Sequence, residues 1–154
     1  MQFSAQYWWY VLFGFSGRIP RSTWWVATLG LAQAELCAIY FFINPDIFRL
    51  DLEPTPPMAP AETLFALAML IPGTAVSVKR FNDRNRPYWL GYAIAVFVAF
   101  SYVFLHYTGH IESYDSTIGF GLLALTPIFV WLLIDQGFRR GTKGDNRYGP
   151  DPLG

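Results

Sequence analysis

Four long apolar stretches constrain this chain more than anything else in it. They cover residues 24–43, 63–78, 88–107 and 118–134, each close to the length that crosses a bilayer core of about 30 Å. Burying four such stretches in a water-soluble core is implausible for a chain of 154 residues. Composition agrees, because 53% of the residues are hydrophobic and 14% charged, against roughly 25% charged in an ordinary soluble domain. The expected fold is all-α: an integral membrane bundle of four transmembrane helices, formed by residues 1–154 as a single domain.

The polar segments between the stretches set an orientation. Ten of the eleven Lys and Arg residues fall in three of them: Arg18 and Arg21 before the first stretch, Lys79, Arg80, Arg84 and Arg86 between the second and third, and Arg139, Arg140, Lys143 and Arg147 after the fourth. The other two loops hold Arg49 alone, so the positive-inside rule places both termini in the cytoplasm. A formal net charge of zero conceals this asymmetry. Set against Asp83, Asp135, Asp145 and Asp151, the inner bases leave about +6; the outer Arg49 against Asp46, Asp51, Glu53, Glu62, Glu112 and Asp115 leaves about −5. Such an outer face argues against nucleic acid as a partner, and topogenesis already accounts for the basic inner face.

A single cysteine, Cys37, lies in the first stretch, and no disulfide framework is expected. The N-terminal region lacks the basic segment and small-residue cleavage site of a signal peptide, although Tyr7 to Phe15 is apolar and aromatic. That run is too short to span. Because the rings of Tyr7, Trp8, Trp9 and Tyr10 favour the headgroup level, residues 3–14 are expected as a short helix lying in the inner interface. The proline-rich loop over residues 44–60 is placed outside.

Helices in lipid associate through close van der Waals contact, which small residues permit. Gly91, Ala95 and Ala99 form one stripe in the third stretch, and Gly30, Ala34 and Ala38 one in the first; Gly73 with Ser77 and Gly121 with Leu125 are weaker versions. Pro72 and Pro127 interrupt the second and fourth stretches, each leaving a carbonyl that neighbours must satisfy. Such a break can be a packing kink or can line a ligand site.

Glu35 is the one ionisable side chain midway along a stretch. A carboxylate at that depth must face the bundle interior and find a donor or stay protonated. It serves either as an intramembrane functional acid, relaying protons or binding a cation in a small oligomeric transporter or channel, or as a neutral acid bonded by Thr74, Ser101, Thr126 or Gln33. His106 and His110 stand four apart, with Glu112 and Asp115 beyond, a weak zinc-like spacing with Gly109 between them. No metal, cofactor or catalytic residue is assigned.

The inner segments carry the most organised chemistry. Phe15-Ser16-Gly17-Arg18-Ile19-Pro20-Arg21-Ser22-Thr23-Trp24-Trp25 makes a turn at Gly17 and Pro20, with Ser22 as a candidate helix cap. In the central segment, Lys79-Arg80-Phe81-Asn82-Asp83-Arg84-Asn85-Arg86-Pro87-Tyr88-Trp89, Pro87 suits the first turn of a helix. The Gly and Pro residues of the tail from Gly141 to Pro152 favour turns.

Together these segments resemble the uncharacterised bacterial inner-membrane family called domain of unknown function 805. The first element is Gly17, Arg18, Arg21, Trp24 and Trp25; the second Arg80, Phe81, Asp83 and Trp89; the third Gly144, Asn146, Arg147, Tyr148, Gly149, Pro150, Asp151 and Pro152. This chain departs from the pattern at Asn82, where a histidine is usual, and at Pro87-Tyr88. The resemblance implies a multi-pass protein of the bacterial inner membrane and brings no reaction, substrate or cofactor.

Two readings of the inner charges remain. Arg18, Arg21, Arg80, Arg84, Arg86 and Arg147 could converge on a lipid phosphate, whose geometry suits bidentate guanidinium contacts. Alternatively Asp83, Asp145 and Asp151 pair with those arginines as network partners and dock the tail under the bundle. An enzyme is not expected, since the chain has no phosphate-binding loop, no nucleophile motif and no further acids beside Asp83 for a catalytic metal. The favoured expectation is a binding or scaffold protein whose inner face contacts anionic lipid, a membrane protein partner or a second copy of itself.

Overall fold

A computed structural model of the chain describes residues 4–43, 60–108 and 126–153. Among them are five helices and no strand. Helix α1 spans Ala5–Phe13, where the Ser4 side chain caps the first turn by accepting from the Tyr7 N–H at 3.2 Å. Helix α2, Arg21–Ala38, continues into a π-helical turn over Ile39–Ile43. Helix α3 is Pro60–Asp83, α4 is Trp89–Thr108, and α5 is Thr126–Phe138, whose last six residues, Leu133–Phe138, are π-helical.

Local chemistry explains the helix ends near the charged segments. Pro20, extended at φ −71° and ψ 161°, precedes α2 with no side-chain cap, so Ser22 lies inside the helix and not at its cap. Helix α3 closes with Asn85 in the left-handed region at φ 54°, the Arg86 N–H reaching the Phe81 carbonyl at 2.9 Å and the Asn85 N–H the Asn82 carbonyl at 3.0 Å. This is the Schellman arrangement, for which Asn is a permitted alternative to Gly and after which proline commonly follows. Pro87 does follow, and α4 begins two residues later.

Helix α3 is the centre of the fold and packs against α1, α2 and α4. Helix α1 lies against α3 through Val11, which is fully buried, while Trp9 and Phe13 stay exposed. The small-residue stripes behave differently from one another. At Gly91 the α3 backbone comes so close that an added Cβ would lie 2.6 Å from Val78 Cγ2 and 3.1 Å from the Val78 N. An added Cβ at Gly30 or Gly73 would have nothing within 4 Å, and in the first-stretch stripe Gly30 and Ala34 are exposed while Ala38 is half-buried. Pro72 sits buried inside α3, which runs through it without a break.

Burial is inverted relative to a water-soluble protein. Every residue from Val78 to Asp83 is buried, including Lys79, Arg80, Asn82 and Asp83. Leu29, Phe41, Phe42, Leu64, Ile71, Val96 and Phe100 are exposed. Among the described residues two helices, Arg21–Ile43 and Pro60–Asp83, are long and apolar enough to cross a membrane, and Trp89–Phe104 and Thr126–Phe138 are shorter apolar helices. Of the fourth expected stretch, residues 118–125 lie outside the described residues, as do residues 44–59 of the proline-rich loop.

Candidate functional site

Asp83, the last residue of α3, joins two buried arginines. Its Oδ1 accepts from Arg18 Nε at 3.2 Å and Nη2 at 3.0 Å, and its Oδ2 pairs with Arg80 Nη1. All three side chains are within a few per cent of complete burial. A buried carboxylate between two guanidiniums is tolerable only because the remaining donors are also bonded. Arg18 Nη1 reaches the carbonyls of Gly144 at 2.8 Å and Gly149 at 3.1 Å, and its Nη2 that of Thr142 at 2.7 Å. The Asp83 carboxylate also explains Gly141, where a Cβ would fall 2.0 Å from Asp83 Oδ2.

The other motif side chains close the end of α5. A helix C-terminus leaves carbonyls without intrahelical donors and carries the negative end of the dipole. Here five consecutive carbonyls accept from side chains of the inner segments: Gln136 from Arg80 Nε at 2.6 Å, Gly137 from Trp25 Nε1 at 3.0 Å, Phe138 from Arg21 Nη1 at 3.4 Å, Arg139 from Arg80 Nη2, and Arg140 from Arg84 Nη1. The aromatic pair packs on this turn so closely that a Cβ on Gly137 would sit 2.8 Å from Trp25 Cζ2 and 3.0 Å from Trp24 Cζ3. Lys79 does the same for α1, donating to the carbonyls of Tyr10 and Gly14 while lying 4.6 Å from the centre of the Tyr10 ring. Burial, helped by neighbouring Tyr7, raises the Tyr10 phenol above its ordinary range. It stays a neutral donor to the Ser16 carbonyl, and Gly17 at φ +85° leaves room for its hydroxyl.

The tail is bonded to this end through Asn146. Its amide donates to the Asn82 carbonyl at 3.0 Å and Thr142 Oγ1 at 2.8 Å, and its Oδ1 accepts from the Tyr148 N–H at 2.9 Å. Asn82 in turn donates to the Gly17 carbonyl at 3.0 Å, so the position that departs from the family pattern ties the first segment to the last. Tyr148 donates to the Arg86 carbonyl at 2.9 Å, and Arg147 lies over the Tyr148 ring. Asp151 accepts from the N–H groups of Leu153 at 3.0 Å and Gly144 at 2.8 Å, which hold its carboxyl below the ordinary range. Asp145 accepts from the Asp151 N–H at 3.2 Å.

Of the six arginines singled out in the sequence, Arg18 and Arg80 face inward, Arg84 is mostly buried, and Arg21, Arg86 and Arg147 are exposed. Asp145 and Asp151 bond backbone N–H groups, and Asp83 pairs with Arg18 and Arg80. Sequence reasoning passed over Asp135, which is 1% exposed and draws Arg84 at 3.4 Å, Arg139 at 3.5 Å and Arg86 at 3.8 Å to one oxygen. It also passed over Gln136 and Asn146 as tie points. An Asp immediately after an apolar stretch is the only trace of the first.

Glu35 faces a groove between α2, α3 and α4, and its carboxylate accepts a hydrogen bond from Tyr102. Three of the donors anticipated for it bond elsewhere: Thr74 to the Leu70 carbonyl, Ser101 to that of Phe97, and Gln33 to Cys37 Sγ. His110, Glu112 and Asp115 lie outside the described residues. Among the described residues no three His, Cys, Asp or Glu side chains group to hold a metal.

Fold and site define a class: a small all-helical protein with membrane-capable helices above a buried, arginine-rich polar end that binds its own backbone. The chain belongs to the family described as "Protein of unknown function (DUF805)", whose model matches residues 12–150. It is 31% identical over 141 residues to "Uncharacterized protein YiiR" of Escherichia coli strain K12, covering 91% of this chain and 86% of that one. It is 25% identical over 142 residues to "Inner membrane protein YhaI" of the same strain, covering 90% and 86%. No solved structure matches.

Proposed function

We propose that this is a multi-pass protein of the bacterial inner membrane, with four crossing helices and both termini in the cytoplasm. In this reading it acts as a non-enzymatic binding or scaffold protein that holds anionic phospholipid at its cytoplasmic rim. The observation that carries it is the convergence of Arg84, Arg86 and Arg139 on the single carboxylate of Asp135. Three guanidiniums on one acid leave uncompensated positive charge, and Arg86 and Arg139 remain 45% and 54% exposed. Exposed Tyr88, just before α4, and Trp89, Trp131 and Phe138 on the flanking helices suit the headgroup level, where aromatic rings gather. Phosphate is the chemistry that accepts two guanidiniums at once. Arg18 and Arg80, already bonded on all sides, hold the platform together and leave lipid contact to the rim.

The test is lipid analysis of protein extracted gently from membranes. Arg86→Ala with Arg139→Ala should lose most of the co-purifying anionic lipid, at least fivefold relative to the parent protein, with the fold retained. Unchanged lipid content in that double variant refutes the rim as the contact. Orientation is tested separately with Cys37→Ala as background. A cysteine at Lys143 should label only from the cytoplasmic side and one at Ser113 only from the other; the reverse pattern overturns the topology.

A further inference from the structure

The groove that holds Glu35 is distinct from the arginine rim. It runs between α2, α3 and α4 in the apolar half, has a volume of about 380 Å³, and is lined by Glu35, Tyr102, Trp24, Phe129 and Ser77 among others. Small-molecule sites typically range over roughly 300–1,000 Å³. Among the described residues no lysine, arginine or histidine lines it. A carboxylate in such surroundings has lost part of its hydration, and the Tyr102 hydroxyl gives it one hydrogen bond but no opposite charge. Its surroundings are chemically selective. Thr74, which lines the groove, donates its hydroxyl to the Leu70 carbonyl of its own helix, and Ser101 likewise to that of Phe97.

The groove presents one carboxylate, three aromatic side chains and a largely apolar wall that also carries the hydroxyls of Thr28, Thr74 and Ser77. Aromatic faces attract cations, more strongly when both are desolvated. An anionic ligand would be repelled by an ionised Glu35, and a neutral apolar one would leave the half-buried carboxylate without a counter-charge.

We propose that the groove between α2, α3 and α4 is a binding site for a small lipophilic organic cation, an amine or quaternary ammonium, with Glu35 as its counter-ion and Trp24, Tyr102 and Phe129 as its aromatic walls. Tyr102 is a positioning residue, holding the carboxylate toward the groove. This site does not rest on the lipid reading of the rim, and variants at Arg86 and Arg139 leave it intact.

The experiment is equilibrium binding of radiolabelled benzyltrimethylammonium to the full-length protein in nanodiscs of zwitterionic lipid, with neopentylbenzene, its neutral isostere, as competitor. The parent protein is expected to bind saturably at one site, and excess neopentylbenzene to displace little of the label. Glu35→Gln should weaken binding at least tenfold, Glu35→Asp by no more than about threefold, and Ala32→Phe, which fills the groove while keeping the charge, should abolish it. No saturable binding by the parent protein overturns the proposal, and so does equal competition by neopentylbenzene. Parent-like binding by a folded Glu35→Gln protein overturns the role of the carboxylate, and parent-like binding by Ala32→Phe overturns the location. Should Glu35→Gln fail to fold, as judged by gel filtration and Tm, the Glu35→Asp and Ala32→Phe results decide the matter alone.

Discussion

The two halves of the molecule are held together in opposite ways. At the polar end, Arg18, Lys79, Arg80, Asn82 and Asp83 are buried, and charged or amide groups reach across from one segment to carbonyls of another. In the apolar half, Leu29, Phe42, Leu64 and Val96 are exposed, Gly30 and Gly73 have open space beside them, and a groove separates three helices. Directional hydrogen bonds between few, specific partners give the polar end one arrangement. Such apolar side chains, placed in lipid, would gain little from choosing one neighbour over another, because lipid tails are as apolar as they are. The contrast teaches that the family motifs in this chain are foremost a joint: they fasten α1, α2, α5 and the tail to the end of α3.

The largest effect should come from removing the acid at the centre of the joint. Asp83→Ala leaves two buried guanidiniums unpaired, which should destabilise the protein by about 3–5 kcal/mol. Thermal unfolding in a fixed detergent reads it, with Leu29→Ala, on an exposed apolar site, as the counterpart expected to stay within about 0.5 kcal/mol. Equal losses in the two variants would break the contrast between the halves.

Next comes a close contact between α3 and α4 that borders the joint. Gly91→Val must displace Val78 and the α3 backbone and should cost roughly 1–3 kcal/mol. Gly30→Ala meets no neighbour and should gain about 0.5–1 kcal/mol through helix propensity alone. A loss at Gly30 comparable to that at Gly91 would show a partner on the first-stretch stripe.

A smaller effect is expected in the tail. Asn146→Ala removes two donated hydrogen bonds and one accepted, each worth about 0.5–1.5 kcal/mol net. Hydrogen exchange should speed up over residues 142–151 and leave α3 unchanged. Acceleration spreading through α3 would mean that the tail is integral to the core and not docked on it.

The smallest is a pH effect confined to the chain end. The Asp151 carboxyl is held below its ordinary range by the Leu153 and Gly144 N–H groups. Its contribution is therefore full above the ordinary aspartate value of about 4 and is lost as pH falls through the lowered, folded value. Amide protection at Gly144 and Leu153 should drop in that acid window in the parent protein, and Asp151→Asn should show no such step. A step that persists in Asp151→Asn would assign it to another acid.

Particular residues show how far the sequence reached. Pro87 was legible as preceding a helix, whereas Ser22, expected as a cap, lies inside α2, and the local devices at Ser4 and Asn85 went unread. Gly91 was legible as a contact and Gly30, in the same kind of stripe, was misleading, since spacing marks a face that permits close approach and not the helix that takes it. Tyr102 as the donor to Glu35 left no signal beyond a hydroxyl in an apolar stretch, and Asp135 none beyond its place at the end of one.

What the sequence determined by itself was the helical class, the segments of apolar and basic character, and the family, because hydropathy, capping and motif order are properties of contiguous residues. Only the tertiary structure decided which arginines are structural. Arg18 and Arg21 are three residues apart and alike in sequence, yet Arg18 reaches Asp83, 65 residues away, and Gly149, 131 away, while Arg21 stays at the surface. That difference arises from how α2, α3 and the tail pack, since a buried charge is tolerated only where distant partners meet it.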